Sequence, residues 1–282
     1  MILNLGTPSV NQISHDPMPQ SASVSKLLSS GRIQEAEWLI RKGAESPIDL
    51  SQLAQHMGTC LPSENFFVSP GYYAPLRSWQ EASSCCGTAY QAKTVVDRYR
   101  ELIAVSRKSR EKHEPVNAYT LRQLAALMHA WLGCGQPQTF KVMDFGGTLG
   151  SHFYAITNHW DWCALHWTVC ETEAVASAGA LEFEADHPSG HKLRFTADAS
   201  ATISEGIDIV FASGSIQYIE QWTDLIDIFN KAKWLLLDRV PLVNHPSDLI
   251  AIQVVPAGYT DTRYPGWKFA EDTWLARLCD HG

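Results

Sequence analysis

A largely parallel α/β sheet preceded by a helical cap is the fold class that this 282-residue sequence predicts, and three observations predict it. The first is the stretch from Val142 to Ser151, which reads as a buried strand, a glycine turn and the start of a helix. The second is Glu171, which closes the next apolar run, Leu165 to Cys170, about 20 residues further on, where a nucleoside-binding fold needs an acid. The third is the rhythm downstream. Short apolar runs at Lys192–Thr196, Asp208–Ser213, Trp234–Asp238 and Leu249–Val255 alternate with helix-length segments, the pattern of βαβ units.

Each part of the first stretch has a physical reason. Gly146, Gly147 and Gly150 let the backbone approach a ligand and take conformations that a Cβ forbids. The helix start behind them offers unpaired N–H groups and a positive dipole end to an anion. A carboxylate at Glu171 can accept both ribose hydroxyls of a nucleoside. Ligands of such sheets bind beyond the carboxyl ends of the strands. Asp144, Glu171, Asp198 and Ser213 all fall within or at the ends of the apolar runs, so they share one rim.

Upstream, residues 1–22 are rich in Ser, Pro, Asn and Gln and are expected to be poorly ordered. Residues 23–137 form the helical cap region. Its helices are expected at 24–42, 50–57, 88–112 and 119–132, with an aromatic and proline-rich loop over 60–80. The charged face of the third helix (Arg98, Arg100, Glu101, Arg107) reads as a solvated surface. Residues 138–282 form the sheet domain. Little chain follows the last strand candidate, so the N-terminal helices are expected to cover the site.

The net charge of −8 and the lack of a basic run argue against general nucleic-acid or anionic-membrane binding. The N-terminus has neither a charged start nor a long apolar segment, so a cytoplasmic location is expected. Seven cysteines without framework spacing are expected as reduced thiols. No His-Glu-x-x-His occurs and His187 to His191 sits in a polar turn, so no metal is expected. The partner expected is a small molecule; the oligomeric state is not legible.

Asp144-Phe145-Gly146-Gly147-Thr148-Leu149-Gly150 resembles the first motif of the class I S-adenosylmethionine-dependent methyltransferases, whose sheet is Rossmann-like. It departs from the usual alternating glycines at Thr148. Within that superfamily the chain looks like a little-characterised group of methyltransferases associated with surface-polysaccharide gene clusters. The matching elements are Ser78 to Ala82, Asp144 to Gly147, Ser213 to Tyr218, Asp238 to Pro241 and Tyr264 to Trp267, so the likeness spans about residues 70–270. The resemblance implies S-adenosylmethionine as cofactor. Asp144 and the Gly146–Gly150 turn, with Gly147 between, would lie under its methionine part. Glu171 would hold the ribose and Asp198 the adenine amino group, with Ala199 beside it. Ser213 and Gly214 would face the sulfonium. Asp198 can equally cap the next helix, and Asp144 can simply order the turn.

Methyl transfer from a sulfonium is an in-line displacement that needs alignment, a dry pocket and sometimes a base. Aromatic faces favour the cation. Tyr218, Gln217, Tyr264 and Trp267 are therefore the candidate catalytic residues, with Tyr72, Tyr73 and Tyr90 as further aromatic candidates from the N-terminal part. Arg239 either holds a carboxylate or pairs with Asp238. No general base is evident. The activity implied is methyl transfer to a glycan or secondary-metabolite acceptor in biosynthesis. A second reading has the aminobutyrate arm close on itself, releasing methylthioadenosine and azetidine-2-carboxylate. A third is a non-catalytic scaffold that binds the cofactor. A nicotinamide oxidoreductase is disfavoured by Asp144 before the glycines and by the absence of a Tyr-x-x-x-Lys pair.

Overall fold

The computed structural model describes residues 66–69, 72–86, 95–101, 103–104, 116–187, 189–254 and 263–281. The helices expected over 24–42 and 50–57, and the N-terminal segment 1–22, lie outside the described residues. The described residues all lie within one compact unit, Leu61–Gly282.

Five parallel strands form the centre: β3 (Thr139–Phe145), β4 (Ala164–Cys170), β6 (Lys192–Thr196), β7 (Ile209–Ser213) and β8 (Trp234–Asp238), with the two-residue β5 (Ala185–Asp186) antiparallel at the edge. The spatial order is β5-β6-β4-β3-β7-β8. In chain order of the parallel strands this is 3-2-1-4-5, the Rossmann order, which reverses beside β3. The crevice at that reversal lies between the ends of β3 and β7.

Cores lie on both faces of this sheet, so its central strands are largely apolar, although β4 alternates buried and half-buried positions and β6 exposes Lys192. β7 is buried at every position. Phe140 and Val142 of β3, with Ile209 and Phe211 of β7, enter one core together with Leu124 and Leu127 of α2 (Ala118–Gly133) and Phe153 and Ile156 of α3 (Ser151–Thr157). Met143, Val210 and Ala212 enter the other, against Ile203 of α5 (Ala199–Ser204) and Leu225, Ile226 and Phe229 of α6 (Trp222–Phe229). α4 (Glu173–Glu182) packs on β6 through Gly179, where a Cβ would stand 2.3 Å from the Phe195 ring. The charged segment around Arg100 is more than a solvated face, because Arg100 reaches α4 and pairs with Glu182 at 2.5 Å.

A second sheet, ordered β1-β2-β10-β11-β9, differs from the expected layout. The aromatic stretch expected as a loop contains β1 (Phe66–Ser69), β2 (Tyr72–Leu76) and α1 (Trp79–Ser84). Ser78 caps α1 by accepting from Glu81 N at 3.1 Å, while the Glu81 carboxylate accepts from Arg77 N at 2.8 Å, a reciprocal cap. β2 pairs antiparallel with β10 (Leu249–Val254), which pairs antiparallel with β11 (Arg263–Ala270). β9 (Leu242–Val243) adds parallel to β11. The run from Leu249 thus leaves the parallel sheet, and the chain beyond it supplies β11 and α7 (Glu271–His281). The N-terminal half therefore contributes strands as well as helices to this unit.

Gly179→Ala sets helix propensity against packing. Ala gains about 1 kcal/mol over Gly in a helix interior, whereas forcing a methyl into a filled contact costs about 1–3 kcal/mol. With three ring atoms of Phe195 within 2.6 Å of the added Cβ, packing wins. The expected result is a lower urea midpoint at unchanged m-value.

Candidate functional site

The rim is assembled by the strand ends. Asp144, one residue before the end of β3, is fully buried. Its Oδ2 accepts from Trp167 Nε1 at 3.1 Å, and His152 Nδ1 lies 3.1–3.2 Å from both oxygens. Gly147 passes directly over this carboxylate: a Cβ there would stand 2.3 Å from Asp144 Oδ2. Asp144 thus orders the turn from below and does not line the cavity. Gly146 (φ 72°) crosses against Ser215, whose Cβ would be 2.4 Å from an added Cβ, and Ser215 Oγ donates to Phe145 O at 2.7 Å. The turn is closed against the β7 end at a distance that only glycine permits. Gly150 (φ 88°) sits at the N-cap of α3 above Leu193.

Glu171 follows β4 as expected. Its Oε1 accepts from Thr148 N at 3.0 Å and its Oε2 from Thr172 N at 2.9 Å. A carboxylate has about four lone-pair sites, so acceptor capacity remains on the cavity side. Thr148 holds a left-handed backbone (φ 56°), the strained position where a glycine is common, and its N–H is fixed by Glu171. Burial raises the Glu171 carboxyl above its ordinary range; the two backbone donors oppose this and Asp144 adds to it.

A cavity of about 670 Å³ opens above these elements, within the size range of ligand pockets, ~300–1,000 Å³. It brings together seven of the expected residues: Gly146, Glu171, Ala199, Ser213, Gly214, Tyr218 and Tyr264. At one end Cys170, Ala197 and Ala199 form a wall of small side chains; at the other stand Arg239, Tyr218, Tyr264 and Gln253. Asp198 does not line it. Its Oδ1 accepts from Ala201 N at 2.9 Å, capping α5. Trp267 stacks on Trp79 with ring centroids 5.6 Å apart and donates to Ile219 O at 3.1 Å, so it ties the second sheet to the loop after β7. Gln217 is buried and does not line the cavity; its side-chain carbonyl oxygen lacks a partner among the described residues. Tyr73 and Tyr90 lie outside the residues whose side chains are described.

Tyr218 donates to Gln253 and meets Tyr264 edge to face at 5.7 Å. Behind it stands Tyr72, whose pKa is pushed up by burial above all and then by Tyr218. Lys268 Nζ sits 4.1 Å from the Tyr72 ring centroid, and burial lowers its pKa. At the β7 end Ser213 Oγ contacts Tyr119 Oη at 2.7 Å, donates to Asp238 Oδ2 at 2.9 Å and accepts from Arg239 Nε at 3.1 Å.

Sequence reasoning missed Ser215, Tyr119, Gln123 and Gln253. Gln253 carried a signal, a lone amide in an apolar strand. Tyr119 carried none, because its partner Ser213 lies 94 residues away. Among the described residues no cluster of three or more potential metal ligands occurs, and no helix is long and apolar enough to cross a membrane.

No protein-family model matches the chain, and no curated protein matches it in sequence. Solved structures similar to it include the N-terminal domain of EvdMO1 with S-adenosylhomocysteine and D-fucose, at 14% identity over 68% of this chain and 89% of that one, TM-score 0.40. Human N-acetylserotonin methyltransferase with S-adenosylmethionine is similar at 11% identity over 94% of each chain, TM-score 0.35. The mitomycin 7-O-methyltransferase MmcR is similar at 13% identity over 90% of this chain and 87% of that one, TM-score 0.34. The fold itself is Rossmann-like on its own strand order.

Two measurements test the rim. Because folding raises the Glu171 pKa, the folded state binds the proton more tightly than the unfolded chain does. Its contribution is fully present below the unfolded pKa and is lost as pH rises through the folded one. The ligand-free wild type should therefore lose a component of stability over that window that Glu171→Gln does not show, read from denaturant midpoints across pH. Asp198→Ala removes the α5 cap and should cost about 1 kcal/mol of stability, read in the same assay.

Proposed function

We propose that this chain is a transferase that binds S-adenosylmethionine across the strand ends and moves its methyl group to a small-molecule acceptor, a glycan or a secondary metabolite. The observation that carries the reading is Glu171: a carboxylate held by two backbone N–H groups, facing the cavity beside a glycine turn closed against Ser215. That geometry fits a vicinal diol, whose two hydroxyls donate to one carboxylate. The small wall of Cys170, Ala197 and Ala199 fits a flat purine next to it.

When bound, the cofactor supplies an electrophilic carbon on a positively charged sulfur, which departs with the bonding electron pair as a neutral thioether. The protein's part is placement. Gly146 and Gly214 give close backbone approach at the crevice. The edge-to-face pair Tyr218 and Tyr264 presents ring surface to a cation and excludes water. Gln253 fixes the Tyr218 hydroxyl, which can orient an acceptor by a hydrogen bond. Among the described residues, Glu171 is the one carboxylate lining the cavity and no histidine joins it. An acceptor that is nucleophilic without strong base assistance fits this lining best.

Mass spectrometry of purified protein with S-adenosylmethionine, against an enzyme-free blank, tests the reading. With S-adenosylmethionine alone the cofactor should stay intact, and S-adenosylhomocysteine should accumulate when an acceptor panel is added. Methylthioadenosine above the blank with a matching four-carbon cyclic amino acid would replace methyl transfer by self-cyclisation. Tight binding with no product across the panel would favour a non-catalytic scaffold.

A further inference from the structure

Arg239 is a fixed cation without an ion-pair partner among the described residues. It follows β8 in a left-handed backbone conformation (φ 55°). Nε donates to Ser213 Oγ at 3.1 Å, and Nη2 donates to Ser213 O at 2.8 Å. The guanidinium carbon lies 5.2 Å from the centroid of the Tyr119 ring. Gly214 makes room for it, since a Cβ there would stand 3.2–3.3 Å from the guanidinium.

The neighbouring acid does not neutralise it. Asp238 Oδ2 is engaged by Ser213 Oγ at 2.9 Å and Gln123 Nε2 at 3.3 Å. None of the ion pairs among the described residues includes Arg239. Ser213 Oγ uses its single donor on Asp238 and its acceptor sites on Tyr119 and Arg239, so the cluster is satisfied without further contact to the guanidinium. Arg239 nevertheless lines the cavity. A planar fork held from behind and open in front suits a carboxylate.

We propose that Arg239 binds the carboxylate of the aminobutyrate arm of S-adenosylmethionine, an inference that rests on the cofactor reading above. Reach favours the cofactor over an acceptor as the source of that carboxylate. The guanidinium packs over Gly214 at the β7 end, two strands from Glu171 at the β4 end. Two spacings of ~4.8 Å put it ~10 Å away. From the ribose 3′-hydroxyl oxygen to a carboxylate oxygen the cofactor runs about nine bonds, which at the ~3.5 Å per three bonds of an extended chain is ~10 Å. A molecule anchored at Glu171 therefore brings its own carboxylate to Arg239. The same anchoring at both ends fixes the arm across the crevice between β3 and β7.

Calorimetric titration with S-adenosylhomocysteine and with its decarboxylated analogue, S-adenosyl-3-thiopropylamine, isolates this contact. The wild type should prefer S-adenosylhomocysteine by about tenfold or more, the range of a charge-assisted pair. Arg239→Gln should bring the two affinities to within about twofold, and Arg239→Lys should retain part of the preference. Thermal unfolding of each ligand-free variant establishes that the loss is local, and the wild-type preference and Arg239→Lys keep the test valid if Arg239→Gln does not fold. A wild type that binds both probes equally overturns the inference. So does a preference that survives Arg239→Gln, which would leave Arg239 to an acceptor carboxylate. A wild type that binds neither probe overturns the cofactor reading itself.

Discussion

The site depends on one buried carboxylate. Asp144 is wholly shielded from water, and a polar group in that position is tolerated only when hydrogen-bond partners surround it. Trp167 Nε1 and His152 Nδ1 reach it from β4 and α3, and the glycine turn folds down over it. The same carboxylate therefore locks the strand, the neighbouring strand and the following helix into one geometry. Without a small residue at Gly147 the turn could not close over it. Without the turn, Thr148 N would not face Glu171 and the β4 end would have no fixed acceptor.

Charge is then divided along the rim. Glu171 is the negative end, its orientation set by two backbone donors. Arg239 is the positive end, its orientation set by Ser213 and Tyr119. Neither is spent on the other, because two strands, β3 and β7, separate β4 from β8 in the sheet order. Between them the lining is glycine backbone, Ser213 and aromatic rings. A zwitterionic ligand with a sugar at one end and an aminocarboxylate at the other matches this distribution in sign and in order.

The second sheet supplies what the parallel sheet cannot, a wall facing the crevice. Tyr218 lies against β11 at Gly266, at a distance where even an added Cβ would make only ordinary contact with its ring. Gln253 and Tyr264, register partners on β10 and β11, then hold that tyrosine from two directions. Tyr72, Gln217 and Lys268 form a buried polar layer behind. The aromatic end of the cavity is thus built from β2, β10, β11 and the loop after β7, segments far apart in the chain.

The sequence by itself determined the parallel core. The runs at 142–145, 165–170, 208–213 and 234–238 feed the cores on the two faces of the sheet, so each is predominantly apolar, while 192–196 beside the edge strand exposes Lys192; all are separable from the helices around them. It also determined the glycine turn and Glu171, because their spacing is local. What it could not determine was which of two local roles a residue takes. Asp198 at a strand end suits a ligand or a helix cap equally, and only the Ala201 contact decides for the cap. The run at Leu249 looks like another parallel strand, yet its partners β2 and β11 place it in a second sheet. The Ser213–Tyr119–Asp238–Arg239 cluster is legible only in part: Ser213, Asp238 and Arg239 stand at strand ends that the sequence marks, whereas Tyr119 on α2 carries no signal. Its members meet only because α2 and the ends of β7 and β8 pack together, and long-range packing leaves no periodicity in the chain that encodes it.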